Sequence, residues 1–226
     1  YLHNVKNRKA HRPFVFVFWS KSGHPRLLPF FFALSIFLSC SSPAPIDYSG
    51  PTANWPAYGG TDHGERFSPL TQITKDNVEQ LEVAWTYNHG DFSDGSGEVK
   101  SESAFEVTPI LVDSTLYFAT PFNRVIALHP ETGEERWVFD PKIDLTGHYA
   151  NQLLCRGVTY WRSGDDERIF MGTNDARLFS INSRTGTADS AFAQSGFVDL
   201  NAGVGEQWYR GEYQVTSPPV VAGDVV

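Results

Sequence analysis

The sequence predicts an all-β protein assembled from repeated four-stranded units. The first unit occupies residues 107–139, where four short apolar runs alternate with clusters of turn residues. Runs of β-branched and aromatic residues cut by such turns are typical of antiparallel strands. The four predicted strands are 107–112, 115–119, 124–128 and 136–139.

The unit repeats with a period of about 50 residues. Residues 177–186 copy the strand and Thr-Gly turn at 124–133, 53 positions earlier, and residues 83–87 resemble the fourth strand of the unit. This period, with four strands per unit, predicts a β-propeller rather than a β-sandwich. Gly133 is expected to take the left-handed conformation that closes its hairpin, and Trp137 to pack its ring against the neighbouring blade.

Residues 1–40 are predicted to be an export leader. Lys21 and Arg26 precede an apolar stretch of about 12 residues, which is too short to span a bilayer but suits a signal-peptide core. The stretch ends in Leu-Ser-Cys-Ser-Ser at 38–42, which is similar to a bacterial lipoprotein cleavage site with Cys40 as the lipidated residue. The alternative is a plain secretory signal in which Cys40 is incidental. Residues 41–53 then read as a flexible tether.

Residues 54–226 are predicted to be the N-terminal part of a propeller: an opening segment, two blades and the start of a third at 216–221. The chain ends inside an apparent strand, so we expect it to be a fragment of a longer propeller. It begins with Tyr1, and its only methionine is Met171. Either the 5′ end is missing or translation starts at a non-standard codon, and we assign no structure to residues 1 to about 15.

The charge of the chain argues against nucleic acid as a partner. After Cys40 the chain carries 12 basic and 26 acidic residues, a net charge of −14. Nucleic-acid binding depends on Lys and Arg that neutralise phosphates. Once Cys40 is set aside, Cys155 is the one remaining cysteine, so the sequence predicts no disulfide within the exported part.

Three polar residues occupy the start of the inner strand in successive blades: Glu106, Arg156 and Thr216. Taken singly, each is typical of a solvated or capping group. Because the inner strands of a propeller converge on its axis, we expect the three side chains to face one axial pocket. A carboxylate, a guanidinium and a hydroxyl suit a planar polyanionic ligand, since Arg binds carboxylates in bidentate fashion.

Residues 54–226 resemble the dehydrogenases that depend on pyrroloquinoline quinone (PQQ), and among these the membrane glucose dehydrogenases and relatives acting on polyols and cyclic alcohols. The most specific stretches are Ala-Thr-Pro-Phe-Asn-Arg-Val-Ile-Ala-Leu at 119–128, Cys-Arg-Gly-Val at 155–158 and Val-Thr-Ser-Pro-Pro at 215–219. The resemblance implies eight blades in the complete propeller, with PQQ and Ca²⁺ as cofactors.

The resemblance also implies a role for each candidate residue. Glu106 would hydrogen-bond the quinone, Arg156 would lie beside its carboxylate and reactive carbonyl edge, and Thr216 would hold another carboxylate. Gln152 stands four positions before Arg156, where glucose-type enzymes place a histidine over the cofactor ring, and the adjacent cysteine pair of alcohol-type enzymes is absent. Gln152 therefore replaces that histidine as a cofactor-site residue, and this departure weakens the case for glucose as the specific substrate.

The implied reaction is the oxidation of a sugar, polyol or alcohol, with ubiquinone or a cytochrome c as electron acceptor. The catalytic base and the Ca²⁺ ligands are expected beyond Val226, so no metal ligand is assigned here and the 226 residues alone are not expected to be active. The expected location is the periplasm, with a lipid anchor on Cys40. The alternative is a non-enzymatic outer-membrane lipoprotein that uses such blades as an assembly scaffold; Glu106 and the Cys-Arg-Gly run at 155–157 favour the enzyme.

Overall fold

The computed structural model describes residues 54–61, 63–193, 195–205, 209–223 and 225–226. The predicted leader at 1–40 and tether at 41–53 lie outside the described residues. The described elements are a short 3₁₀ helix, Val78–Gln80, and the strands β1 (Ile110–Val112), β2 (Thr115–Ala119), β3 (Val125–Leu128), β4 (Glu135–Phe139), β5 (Thr159–Ser163), β6 (Asp166–Gly172), β7 (Arg177–Asn182) and β8 (Phe197–Asp199). Within these ranges, no helix is long and apolar enough to cross a membrane.

The strands form two four-stranded antiparallel sheets, each in chain order, β1-β2-β3-β4 and β5-β6-β7-β8. This is the connectivity that the sequence predicts for two consecutive propeller blades. In the first sheet, Tyr117 on β2 pairs with Ile110 on β1 and with Ala127 on β3. The β1–β2 turn consists of Asp113 and Ser114, both with positive φ, which is the backbone twist that a two-residue hairpin favours.

Apart from one-residue shifts at the starts of β3 and β4, the strands differ from the predicted ones in three places. β1 begins at Ile110 rather than at 107, because the Thr108 N–H donates sideways to the Arg156 carbonyl, at 3.1 Å, instead of pairing with β2. Residues 83–87 were predicted as a strand and are not one, since no described strand lies beside them. The predicted third-blade strand at 216–221 is also not formed, although it lies alongside the second blade.

Tryptophan–glycine contacts join each unit to the next. The ring of Trp137 covers Gly186, so closely that an added Cβ on this glycine would lie 2.6 Å from the indole. Trp85 covers Gly133 with the same 2.6 Å approach. In both pairs the indole Nε1 donates, at 3.0 Å, to the backbone carbonyl three residues before the glycine. Both glycines have positive φ, +72° and +70°, which confirms the predicted hairpin conformation and the role of the tryptophan ring.

A second repeated contact links each blade to the chain that precedes it, through an arginine at the start of the third strand. Each arginine forms an ion pair with an aspartate. It also donates to the backbone carbonyl that lies four residues after Trp85 or Trp137, the tryptophan that precedes it in the repeat. These contacts are Arg124 with Asp91 (2.6 Å) and the His89 carbonyl, and Arg177 with Asp175 (2.9 Å) and the Pro141 carbonyl (2.8 Å).

The main hydrophobic core lies between the two sheets. It combines side chains from β1, β2 and β3 with side chains from β6 and β7 and from the segment before β5: Ile110, Val112, Tyr117, Ala119, Val125, Ala127, Cys155, Val158, Ile169, Met171, Phe179 and Ile181. The packing of one blade face on the next fixes the inner segments side by side, and this places the candidate site.

Candidate functional site

The three candidate residues lie on backbone segments that run next to one another. The Thr108 N–H donates to the Arg156 carbonyl at 3.1 Å, and the Arg156 N–H donates to the Thr216 carbonyl at 2.9 Å. These bonds cross from the segment before β1 to the segment before β5, and from there to the stretch predicted to open the third blade. The inner segments therefore meet side by side, as expected for neighbouring blades around an axis.

The side chains of Glu106, Arg156 and Thr216 are in direct contact. The Arg156 Nε lies 3.1 Å from the Glu106 Oε2, and the Arg156 Nη1 donates to the Thr216 Oγ1 at 2.7 Å. The two charged side chains are 44% and 45% exposed, so the guanidinium is held from two sides and still open to a ligand. The sequence predicted that these three residues would come together, and the structure brings them together.

Gln152 lies beside this trio rather than in it. Its Nε2 donates to the Glu102 Oε2 at 3.2 Å, and both residues are exposed. The backbones that carry the two side chains run side by side, because the Leu153 N–H donates to the Glu102 carbonyl at 2.8 Å and the Ala104 N–H donates to the Leu153 carbonyl at 3.0 Å. Sequence reasoning did not identify Glu102, since a carboxylate in a polar loop has no distinctive pattern.

Two fully buried asparagines support the Gln152 segment, and they too were missed. The Asn174 N–H donates to the Asn123 Oδ1 at 2.7 Å, and the Asn174 Nδ2 reaches the Gln152 carbonyl at 3.4 Å. Both asparagines are 0% exposed and lie in the turns that connect the second and third strands of the two blades. A buried amide in a turn is costly unless it is hydrogen-bonded, but the burial of these two turns follows from the packing of the blades, so the sequence carried no signal for either residue.

Cys155 precedes Arg156 but has no reactive character. It is a free thiol, 2% exposed, and its Sγ lies 3.4 Å from the Gly157 carbonyl. Burial raises the pKa of the thiol to about 11, so it is protonated at neutral pH. The nucleophilic form of a cysteine is the thiolate, and Cys155 therefore serves as a core side chain that anchors the segment.

Metal-binding side chains do not cluster in the part of the chain that the structure describes. Among the described residues, no three His, Cys, Asp or Glu side chains are grouped so that they could hold a metal ion. The site itself presents one oriented guanidinium between a carboxylate and a hydroxyl. Such a group binds planar oxyanions, because the N–H fork of Arg matches a carboxylate geometrically.

Comparisons with known proteins show which family the chain belongs to. A family model described as the β-propeller domain of PQQ-dependent glucose, ethanol and alcohol dehydrogenases matches residues 55–226. Quinoprotein glucose dehydrogenase A of Acinetobacter calcoaceticus is 36% identical over 192 residues, which cover 77% of this chain and 24% of that protein. The glycerol dehydrogenase large subunit of Gluconobacter thailandicus is 35% identical over 192 residues, covering 81% of this chain and 25% of that protein.

A solved structure of a quinohemoprotein is also similar to this chain. The quinohemoprotein alcohol dehydrogenase ADHIIG from Pseudomonas putida HK5 matches with a TM-score of 0.58 and 32% identity, over 76% of this chain and 22% of that one. The chain thus spans about a quarter of the length of the relatives it matches. Since the family model covers residues 55–226, the chain belongs to the PQQ-dependent glucose/ethanol/alcohol dehydrogenase family and carries part of its β-propeller domain.

Proposed function

We propose that the protein containing this chain is a PQQ-dependent dehydrogenase that oxidises a C–OH group of a sugar, polyol or alcohol. The observation that carries this proposal is the contact chain from Glu106 through Arg156 to Thr216, at the start of three adjacent inner segments. Relatives whose names specify glucose, glycerol and alcohol support the breadth of the substrate class.

The residues present fit PQQ, which is a planar quinone with three carboxylates. Arg156 offers a positive charge and five N–H donors, of which the contacts to Glu106 and Thr216 use only part. The Thr216 hydroxyl is a further donor at the same edge. Glu106 fixes the guanidinium, and its second carboxylate oxygen can accept a hydrogen bond from a ring N–H. When bound, PQQ supplies the oxidising equivalents for the C–OH group.

Arg156 would contribute to the rate through electrostatics. A guanidinium held on both sides needs no reorganisation when negative charge develops on an oxygen beside it. Removal of one such preorganised donor typically lowers kcat by about 10²–10³-fold. Glu106 would act through Arg156, because it holds the Nε and so orients the rest of the fork.

Calcium, the catalytic base and the electron acceptor complete the proposal. We assign the Ca²⁺ ligands and the base to parts of the protein beyond Val226. The acceptor is ubiquinone or a cytochrome c; two further relatives carry "(quinone)" and "(cytochrome c)" in their names. We place the protein in the periplasm, anchored to a membrane by a lipid on Cys40, on the strength of the leader sequence.

A non-enzymatic assembly scaffold is the other reading of such blades. The family match to dehydrogenases over residues 55–226 favours the enzyme, and so does the half-exposed Arg156 between Glu106 and Thr216, for which a scaffold has no need.

The test is dye-coupled turnover by the longest natural protein that contains this chain, with PQQ, Ca²⁺ and a panel of sugars, polyols and alcohols. Arg156→Ala should lower kcat by about 10²-fold or more. Arg162→Ala is the matched control, because Arg162 is also half-exposed and near a carboxylate, Asp113 at 3.5 Å, but lies at the far end of β5. Turnover that does not require PQQ, or an equal loss in both variants, contradicts the proposal.

A further inference from the structure

Glu102 lies beside the segment that carries the cofactor-site arginine, and the backbone holds it there. Its carbonyl accepts from the Leu153 N–H at 2.8 Å, and on the other side it forms an antiparallel bridge with Asp94. Two residues lie between Leu153 and Arg156, a span of at most about 11 Å. The segments 102–106 and 152–156 run side by side, with the Glu102–Gln152 contact at one end and the Glu106–Arg156 contact at the other.

Gln152 pairs with Glu102, and its backbone is bonded to a buried residue. The Gln152 amide donates to the Glu102 carboxylate at 3.2 Å, and its backbone carbonyl lies 3.4 Å from the Asn174 Nδ2. Asn174 is fully buried and is anchored to Asn123 of the preceding blade. Asn174 therefore anchors the backbone of the Gln152 segment, and the hydrogen bond to Glu102 orients the Gln152 amide.

The charge of Glu102 is uncompensated, in contrast with that of Glu106. Within the described ranges, no Lys, Arg or His nitrogen lies within ion-pair distance of the Glu102 carboxylate, and the nearby Lys100 Nζ donates to the Gly97 carbonyl instead. The Glu106 carboxylate, by comparison, is matched by Arg156 at 3.1 Å. The Glu102 carboxylate, with the Gln152 amide next to it, thus places a negative charge without a cationic partner among the described residues beside the segment that carries Arg156.

We infer that Glu102 is a specificity-determining residue that favours neutral polyhydroxy substrates over carboxylated ones. Hydroxyl groups can donate to the Glu102 carboxylate and accept from the Gln152 amide, whereas a substrate carboxylate is repelled. At separations below a Debye length, about 8–10 Å at physiological salt, this repulsion persists in water. The inference rests on the proposed function, because it assigns the approach to the Arg156 site to the substrate.

The test compares kcat/KM for two compounds that share the reacting hydroxyl and differ in charge, glucose with glucuronate and a neutral cyclic diol with quinate. It uses the longest natural protein containing this chain, loaded with PQQ and Ca²⁺. Glu102→Gln removes the charge and retains an oxygen that accepts from Gln152. We expect the ratio of anionic to neutral kcat/KM to rise about three- to tenfold, with a smaller rise at high salt.

Glu131→Gln is the matched control, because Glu131 is an exposed carboxylate in the β3–β4 turn, at the opposite end of the blade from the turn that carries Asn123. A second readout is the Kd of PQQ for the apoprotein, which Glu102→Gln should leave unchanged or tighten. If the wild type binds PQQ and oxidises a neutral substrate but the charge ratio is the same in Glu102→Gln, the specificity inference alone is wrong. If the wild type does not bind PQQ, both the inference and the proposed function are wrong.

Discussion

Replacement of Gly186 by alanine is expected to destabilise the protein by about 2–5 kcal/mol, and the structure separates this cost into two parts. Gly186 has a φ of +70°, which costs a residue with a side chain about 1–2 kcal/mol. An added Cβ would also lie 2.6 Å from the Trp137 ring. Overpacking of this kind costs about 1–3 kcal/mol.

The chain offers a matched control for the first part. Gly164 has a similar φ of +60°, in the β5–β6 turn, and an added Cβ there would meet nothing within 4 Å. Gly164→Ala should therefore cost only the conformational part, about 1–2 kcal/mol. The difference between the two variants measures the contact with Trp137.

The assay is urea unfolding followed by tryptophan fluorescence, with the free energy of unfolding taken from midpoint and slope. In a Trp137→Phe background the ring is smaller, so Gly186→Ala should cost less than it does in the wild type. Equal destabilisation by Gly186→Ala and Gly164→Ala would show that the tryptophan ring does not pack tightly on the glycine. The account of how the blades join would then be wrong.

Three further predictions concern single residues. Arg124→Ala should lower the free energy of unfolding by about 2–4 kcal/mol, because it leaves the Asp91 side chain, 8% exposed, without its partner. Cys155 should not react with a thiol reagent at pH 8 in the folded protein, because burial raises the pKa of its thiol to about 11. The same shift predicts that stability falls as pH rises from the ordinary thiol value toward 11, since only the unfolded chain then releases the proton. The hydrogen bond from Arg184 lowers the pKa of Glu167, so the ionised pair stabilises the fold above the ordinary carboxyl pKa and this contribution is lost as pH falls. Arg184→Gln should therefore raise the pKa of Glu167 and move acid unfolding, followed by circular dichroism, to higher pH.

Local chemistry was sufficient to predict the blades. The Thr-Gly turns and the apolar runs around them predict the strands, since glycine is typical of left-handed turn positions and β-branched runs are typical of strands. The repeat then placed Glu106, Arg156 and Thr216 in matching positions, and the structure shows them in contact. The identity of the proposed ligand, PQQ, came from the resemblance to a family rather than from these residues.

The structural features that the sequence did not predict depend on contacts between blades. β1 starts late because Thr108 bonds to the neighbouring segment, and residues 83–87 have the composition of a strand without a described strand beside them. The asparagine pair, Asn123 and Asn174, joins turns that are 51 residues apart. Such pairings depend on how two blades pack, and no local pattern of apolar and polar residues encodes them.

The most direct test of the central claim is equilibrium binding of PQQ to the longest natural protein that contains this chain, with Ca²⁺ and without substrate. Wild type, Arg156→Ala and Arg162→Ala would be titrated and tryptophan quenching recorded, with unfolding midpoints to show that all three are folded. We predict tight binding by the wild type and by Arg162→Ala. For Arg156→Ala we predict a Kd at least about tenfold higher, which corresponds to the loss of one charge-assisted hydrogen bond. Equal Kd values for all three folded proteins would contradict the assignment of Arg156 to the cofactor site.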